Sequence, residues 1–166
     1  MTAATQLREK HEGAYDERAA LRLWLRLLSC TMTIEKRLQR RMAERFGSTL
    51  PRFDVLAALE RHPQGLAMGA LSRALLVSNG NVTGLVRGLA AEGLVEVAPS
   101  PDDGRVSVAR LSERGRKTFA AAAAAHHQWI EDMFGGLEEP ERDTLHALLG
   151  TLKQSIFAAA TPQEGQ

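Results

Sequence analysis

Few arrangements accommodate the stretch from Met68 to Leu94. Apolar residues recur in it at helical spacing, first Leu71 and Leu75, then Val82, Leu85, Val86 and Leu89, and Val77-Ser78-Asn79-Gly80 interrupts the two sets. Two short helices around a tight turn are expected, which is a helix-turn-helix.

At about 100° per residue, Val82, Leu85, Val86 and Leu89 gather on one side of the second helix, while Gly80, Thr83, Gly84 and Arg87 gather on the other. With Gly88 close by, that outer face is nearly bare. Each helical glycine costs roughly 1 kcal/mol against alanine, so a stable helix needs a reason to keep them. One reason is close approach of the backbone to another molecule, and a major groove is wide enough to admit a helix. The alternative is relief of crowding against another helix of the same chain.

The next segment favours the groove. Leu94-Val-Glu-Val-Ala98 alternates like a strand, Pro99 to Arg105 is rich in turn residues, and Val106 to Leu111 alternates again. A hairpin after a helix-turn-helix makes a winged helix. Asp103-Gly-Arg105, followed by Leu111-Ser112 and Gly115, resembles the wing signature of the MarR family of bacterial transcriptional regulators. Phe53-Asp-Val-Leu56 and Glu92-Gly-Leu-Val95 sit where other landmarks of that family fall, and the resemblance covers roughly residues 20 to 158.

The expected fold class is mainly α with a small β wing: a winged helix-turn-helix domain at 48–112 and a helical dimerisation region at 17–47 and 113–159. A flexible arm at 1–16 and a flexible tail at 160–166 complete the division. A hydrophobic content of 44% with 25% charged residues is ordinary for a globular chain of one domain with a sizeable core. No uncharged run approaches membrane-spanning length and the N-terminus has no apolar signal region, so a cytoplasmic protein without membrane contact is expected.

A helix from about Glu17 to Phe46 carries Leu21, Trp24, Leu25, Leu28, Leu38 and Met42 on one stripe, which Leu23 and Leu27 widen. Such a helix suits a place between a core and a partner subunit. Thr49 is positioned to cap the next helix, with Pro51 in its first turn and Phe53, Leu56 and Leu59 facing inward. Ser112 is positioned to cap a further helix through the alanine run 120–125, ending at Gly135-Gly136. Glu139-Pro140-Glu141 then opens a last helix whose Leu145, Leu148, Leu149, Leu152 and Ile156 form a stripe that must be buried somewhere. The MarR resemblance implies a homodimer interface there.

The net charge of +1 hides an asymmetry. Residues 36–52 hold Lys36, Arg37, Arg40, Arg41, Arg45 and Arg52 against Glu44, a local +5, and residues 131–143 carry a local −5. The basic run is a solvated face, a phosphate contact or a site for an anionic effector.

The resemblance also assigns roles. It implies double-stranded DNA as partner, with Ser78, Asn79, Asn81, Thr83 and Arg87 on the recognition helix. It implies that Arg105 enters the minor groove and that Asp103 holds the wing in shape. Arg110, Arg114 and Arg116 are further phosphate candidates. Relatives often carry arginine where Gly84 and Gly88 stand here, which gives the wing and Arg87 more of the work. An effector pocket is implied beside Trp24, Leu28, Thr31 and Phe53, with Arg37, Arg40 and Arg41 just beyond. An apolar slot beside guanidinium groups suits an aromatic acid or its coenzyme A thioester. The Leu21–Leu28 run and Asn81-Val-Thr-Gly-Leu85 also resemble the branch that senses aromatic acyl-CoA in aromatic-acid catabolism.

Other classes draw less support. No nucleophile-base-acid set, phosphate loop, cofactor motif or metal-ligand spacing is visible, and His126-His127 stands without ligand partners at suitable spacing, so an enzyme is not expected. A winged helix that binds only protein is one alternative to a ligand-released repressor. A redox sensor is the other: the peroxide-sensing branch places a reactive cysteine beside tyrosines in the first helix. Here the lone Cys30 has only Tyr15 in the sequence for company, and its setting between Leu28 and Met32 is that of an inert buried thiol.

Overall fold

The computed structural model describes residues 19–100 and 103–160. Along them run α1 (Ala19–Phe46), α2 (Leu50–Glu60), β1 (Leu66–Ala67), α3 (Met68–Leu75), α4 (Asn79–Ala91), β2 (Val95–Pro99), β3 (Ser107–Leu111), α5 (Glu113–Phe134) and α6 (Glu139–Ala160). The fold class is the expected one, mainly α with a small antiparallel sheet. The arm at 1–16 and residues 161–166 of the tail lie outside the described residues. The chain divides into two compact units, one ending at His126 and the other beginning at His127.

The core of the first unit is what the apolar spacing dictates. Val55, Leu56 and Leu59 of α2, Leu71 of α3, and Val82, Val86 and Leu89 of α4 are buried together with Leu94, Val95, Ala109 and Leu111. Burying one such side chain is worth about 1.5–3 kcal/mol, so this cluster fixes α4 against α2, α3 and the sheet. The hairpin pairs Val95 with Leu111 through Pro99 with Ser107. A third strand, β1, pairs with β3 and makes the order β1-β3-β2. Two residues are too short for alternation to announce it. What admits it is Gly65, at φ +91°, where a Cβ would stand 2.6 Å from Val108 Cγ1 and 2.8 Å from the Ala109 carbonyl oxygen.

The start of α2 corrects one expectation. Thr49 occupies the N-cap position, with extended backbone, but its side chain makes no capping bond. Gln39 of α1 does that work across the turn, its Oε1 accepting the Leu50 N–H at 2.9 Å. The Ser112 cap forms as expected: Oγ accepts the Gly115 N–H at 2.9 Å and donates to the Gly93 carbonyl at 2.7 Å.

On α1, the expected stripe is core only at its C-terminal end, where Leu38 and Met42 are buried. Leu23 and Trp24 stand 57% and 56% exposed. Cys30 is exposed as well, against the expectation of a buried thiol. The physical reason is local: Cys30, Thr31 and Met32 are all exposed, so none of the described residues packs over that turn of α1.

In the second unit, α6 begins with a reach-back cap in which the Glu141 carboxylate accepts the Glu138 N–H at 2.8 Å. Glu139 and Glu141 occupy its first turn, where the helix dipole favours acids. Of the stripe that had to be buried, Leu152 is half-buried among the described residues, while Leu148 and Ile156 are 62% and 59% exposed. No helix among the described residues is long and apolar enough to cross a membrane.

Candidate nucleic-acid interface

α4 is held by its inner face and leaves its outer face open. Val82 and Leu89 are fully buried, while Asn79, Asn81, Thr83 and Arg87 are exposed, with Ser78 just ahead of them at the N-cap. A Cβ built on Gly80 or Gly84 meets no atom within 4 Å beyond its own helix backbone, so these glycines relieve no crowding among the described residues. Gly88 is different, since a Cβ there would touch the Arg52 guanidinium at 3.4 Å. Arg52 passes over that gap from α2 to form an ion pair with Glu92 at the end of α4. The bare face is therefore its first two turns, and the third houses a strut.

Thr83 does not present its hydroxyl freely, because Oγ1 donates to the Asn79 carbonyl at 2.8 Å. Its methyl group and the amides of Asn79 and Asn81 make up the chemistry of the first turns. Ser78 makes no side-chain cap bond, so the first N–H groups of α4 are not satisfied by it.

The turn before α4 depends on Ser72, which the apolar spacing did not single out. It is the buried polar residue among those described, and its Oγ donates to the Val77 carbonyl at 2.5 Å while the Val77 N–H donates to the Ser72 carbonyl at 3.2 Å. A polar residue directly after Leu71 on the core side of α3 is the signal that marks it.

The wing places Asp103 and Arg105 together. Asp103 Oδ1 accepts the Arg105 backbone N–H at 3.0 Å and its Nε–H at 3.2 Å. The backbone bond first, and the guanidinium second, hold the Asp103 carboxyl below its ordinary value. Arg105 itself remains 92% exposed at the side chain. Of the other arginines in this region, Arg110 pairs with Glu96 across the strands at 2.9 Å and Arg116 Nη1 donates to the Leu111 carbonyl at 3.1 Å.

The effector residues fall into separate settings. Arg37, Arg40 and Arg41 line one groove of about 630 Å³ with Met32, Thr33 and Lys36, and Arg40 also pairs with Glu44 at 3.4 Å. Trp24, Leu28 and Thr31 lie N-terminal to that groove on the same helix, with Leu28 half-buried and the other two exposed. Phe53 is buried, stacked on His126 at 4.7 Å and tilted against Phe119 at 5.5 Å. Beside it, burial raises the Asp54 carboxyl above its ordinary value; His126 opposes this, Glu35 adds to it and Arg61 opposes it.

Comparison with known proteins follows the same outline. The MarR family pattern matches residues 46–106. The chain is 34% identical over 106 residues to the transcriptional activatory protein BadR of Rhodopseudomonas palustris, which covers 63% of this chain and 60% of that protein. It is 27% identical over 109 residues to the transcriptional repressor IacR of Pseudomonas putida, covering 66% and 65%. The match therefore spans less than two thirds of either relative. An uncharacterized HTH-type transcriptional regulator of Mycobacterium bovis is 32% identical over 124 residues, 74% of this chain and 87% of that one. Among solved structures, a MarR family transcriptional regulator from Silicibacter pomeroyi is similar with a TM-score of 0.72 at 34% identity, covering 82% of this chain and 94% of that one. BldR of Sulfolobus solfataricus, at 19% identity and a TM-score of 0.73, shares the fold over 85% of this chain and 99% of its own.

Proposed function

Because the chain belongs to the MarR family of transcriptional regulators, we propose that it is a homodimeric repressor that α4 and the wing attach to a palindromic operator, and that a small aromatic effector releases it. The observation that carries the DNA part is the open outer face of α4, where a Cβ at Gly80 or Gly84 would meet no described atom within 4 Å beyond its own helix backbone, next to a wing arginine that Asp103 orients and solvent surrounds. A helix with a bare first face lies deep in a major groove, where Asn79, Asn81 and Arg87 reach base edges and Ser78 and Thr83 meet the backbone or thymine methyls. Arg105 takes the minor groove beside it.

The homodimer is supported by the apolar residues that α6 leaves exposed, since Leu148 and Ile156 are 62% and 59% exposed among the described residues. Two-fold symmetry then requires half-sites about one helical turn, roughly 10 bp, apart. The effector is supported by the cationic face of α1, where Arg37, Arg40 and Arg41 line one surface groove. Bidentate guanidinium groups suit a carboxylate or the phosphates of a coenzyme A thioester, with the aromatic part toward Trp24, Leu28, Thr31 and Phe53. One relative is named an activator and another a repressor. The repressor reading is supported by the relative named a repressor, and release requires that the effector favour the non-binding conformation.

The test recovers a duplex from a random-sequence pool with the wild-type protein, then titrates benzoyl-CoA, hydroxycinnamoyl-CoA, the free acids and coenzyme A alone against the complex. Recovery of an inverted repeat, and release by a thioester at micromolar levels that is lost in Arg40→Ala/Arg41→Ala, is the expected outcome. Release by the free acid alone removes the thioester from the account, and failure to recover any duplex removes the DNA part.

A further inference from the structure

We propose that Leu76, in the turn ahead of α4, is an apolar DNA contact that packs on the deoxyribose and thymine-methyl surface at the edge of the groove α4 enters; this rests on the DNA-binding reading above. Leu76 is the one non-glycine residue at positive φ among the described residues, at φ 55° and ψ 34°. A branched side chain strains that conformation, which glycine adopts freely. Burial does not offset the strain, because Leu76 is 93% exposed, the most exposed of the large apolar residues described.

The turn around it is held tightly. The Leu76 N–H donates to the Arg73 carbonyl at 3.3 Å and the Val77 N–H to the Ser72 carbonyl at 3.2 Å, while Ser72 Oγ closes on the Val77 carbonyl. The backbone therefore fixes where the leucine stands, two residues before Ser78, so little freedom is lost when something covers it. An exposed leucine held in a strained conformation by a buried serine points to a contact outside the chain. Leu76 and the 38%-exposed Val77 run directly into Ser78, Asn79 and Asn81, so the surface they form is continuous with the proposed DNA face. Beside its phosphates, a duplex offers apolar matter there in the sugar CH groups and the thymine C5-methyl. A protein seated on the same turn would displace the duplex.

The experiment uses the duplex that the full-length wild-type protein recovers from a random-sequence pool, and measures affinity over a salt series for wild type, Leu76→Met, Leu76→Gly and Leu76→Asn. Glycine and asparagine suit the left-handed backbone, so the variants fold, and their Tm values are expected within a few degrees of wild type. Leu76→Met is expected within about twofold of wild type, and Leu76→Gly and Leu76→Asn about five- to tenfold weaker. The loss is expected at every salt concentration with the slope of log K against log salt unchanged, because an apolar contact releases no counterions. Wild-type affinity in Leu76→Gly and Leu76→Asn overturns the inference. So does a loss accompanied by a shallower salt slope, which assigns the effect to displaced phosphate contacts. A wild-type protein that recovers no duplex refutes the DNA-binding reading itself, and the inference with it.

Discussion

Replacing Gly115 by alanine sets one methyl group against the backbone that joins α4 to β2. A Cβ at Gly115 would lie 1.9 Å from the Leu94 carbonyl oxygen and 2.9 Å from its carbon, with Ser112 Oγ at 3.3 Å. Relief needs a shift of about 1 Å in main chain that is tied down on both sides, more than the usual overpacking cost of 1–3 kcal/mol covers. The Leu94 carbonyl also accepts the Ser112 N–H at 3.1 Å, and Ser112 Oγ caps Gly115 at 2.9 Å. Loosening either bond adds about 1 kcal/mol. A destabilisation of about 3–5 kcal/mol follows, which for a chain of this size lowers Tm by roughly 10–15 °C. Gly104→Ala is the matched control, because a Cβ at Gly104 meets nothing within 4 Å. Thermal and urea unfolding followed by circular dichroism measure both variants. A Gly115→Ala protein within about 1 kcal/mol of wild type would refute the steric reasoning.

Gly84→Ala should stabilise the fold by about 1 kcal/mol, as helix propensity dictates at an open site, yet weaken DNA binding, because the methyl group intervenes where the backbone approaches the groove; paired denaturation and binding measurements check the opposite signs. Asp54→Asn should raise stability at pH 7. The raised Asp54 carboxyl means the folded chain holds that proton more tightly than the unfolded one, so stability falls as pH rises from 3.8 through the folded value and stays lower above it. The advantage of the asparagine variant should shrink as pH is lowered through that window, and an advantage that grows on acidification contradicts it. Leu148→Glu with Ile156→Glu should raise the dimer dissociation constant by about a hundredfold or more with little change in the fold of the subunit, as sedimentation would show.

What was legible in the residues was local. The periods of α3 and α4, the turn between them and the alternation of the wing strands depend on neighbours a few positions away, and each stands where its pattern put it. The Ser112 cap belongs to the same class. What escaped depends on a partner distant in sequence. Strand β1 exists because Gly65 lets two residues lie against β3, and α2 is capped by Gln39 from α1 although Thr49 stands in the capping position. Arg52 counts in the basic run of the sequence, yet Glu92 engages it. Cys30 carries an apolar neighbourhood in the sequence but is exposed in the structure, as are Leu23 and Trp24 on the same helix, because an apolar neighbour in sequence does not supply a packing partner. The exposure of the polar residues on α4 was legible because polar residues opposite an apolar stripe are themselves a matter of period.

Comparing wild type with Arg105→Ala over a salt series on the recovered operator tests the central claim that α4 and the wing bind duplex DNA. Arg105 is 92% exposed at the side chain and touches no core, so its removal should leave the Tm unchanged. Wild-type affinity should fall steeply with salt, and Arg105→Ala should bind more weakly with a slope smaller in magnitude by about 1, the loss of a single cationic contact. Identical salt dependence and affinity in the two proteins, or wild-type binding that salt leaves unmoved, would contradict the account.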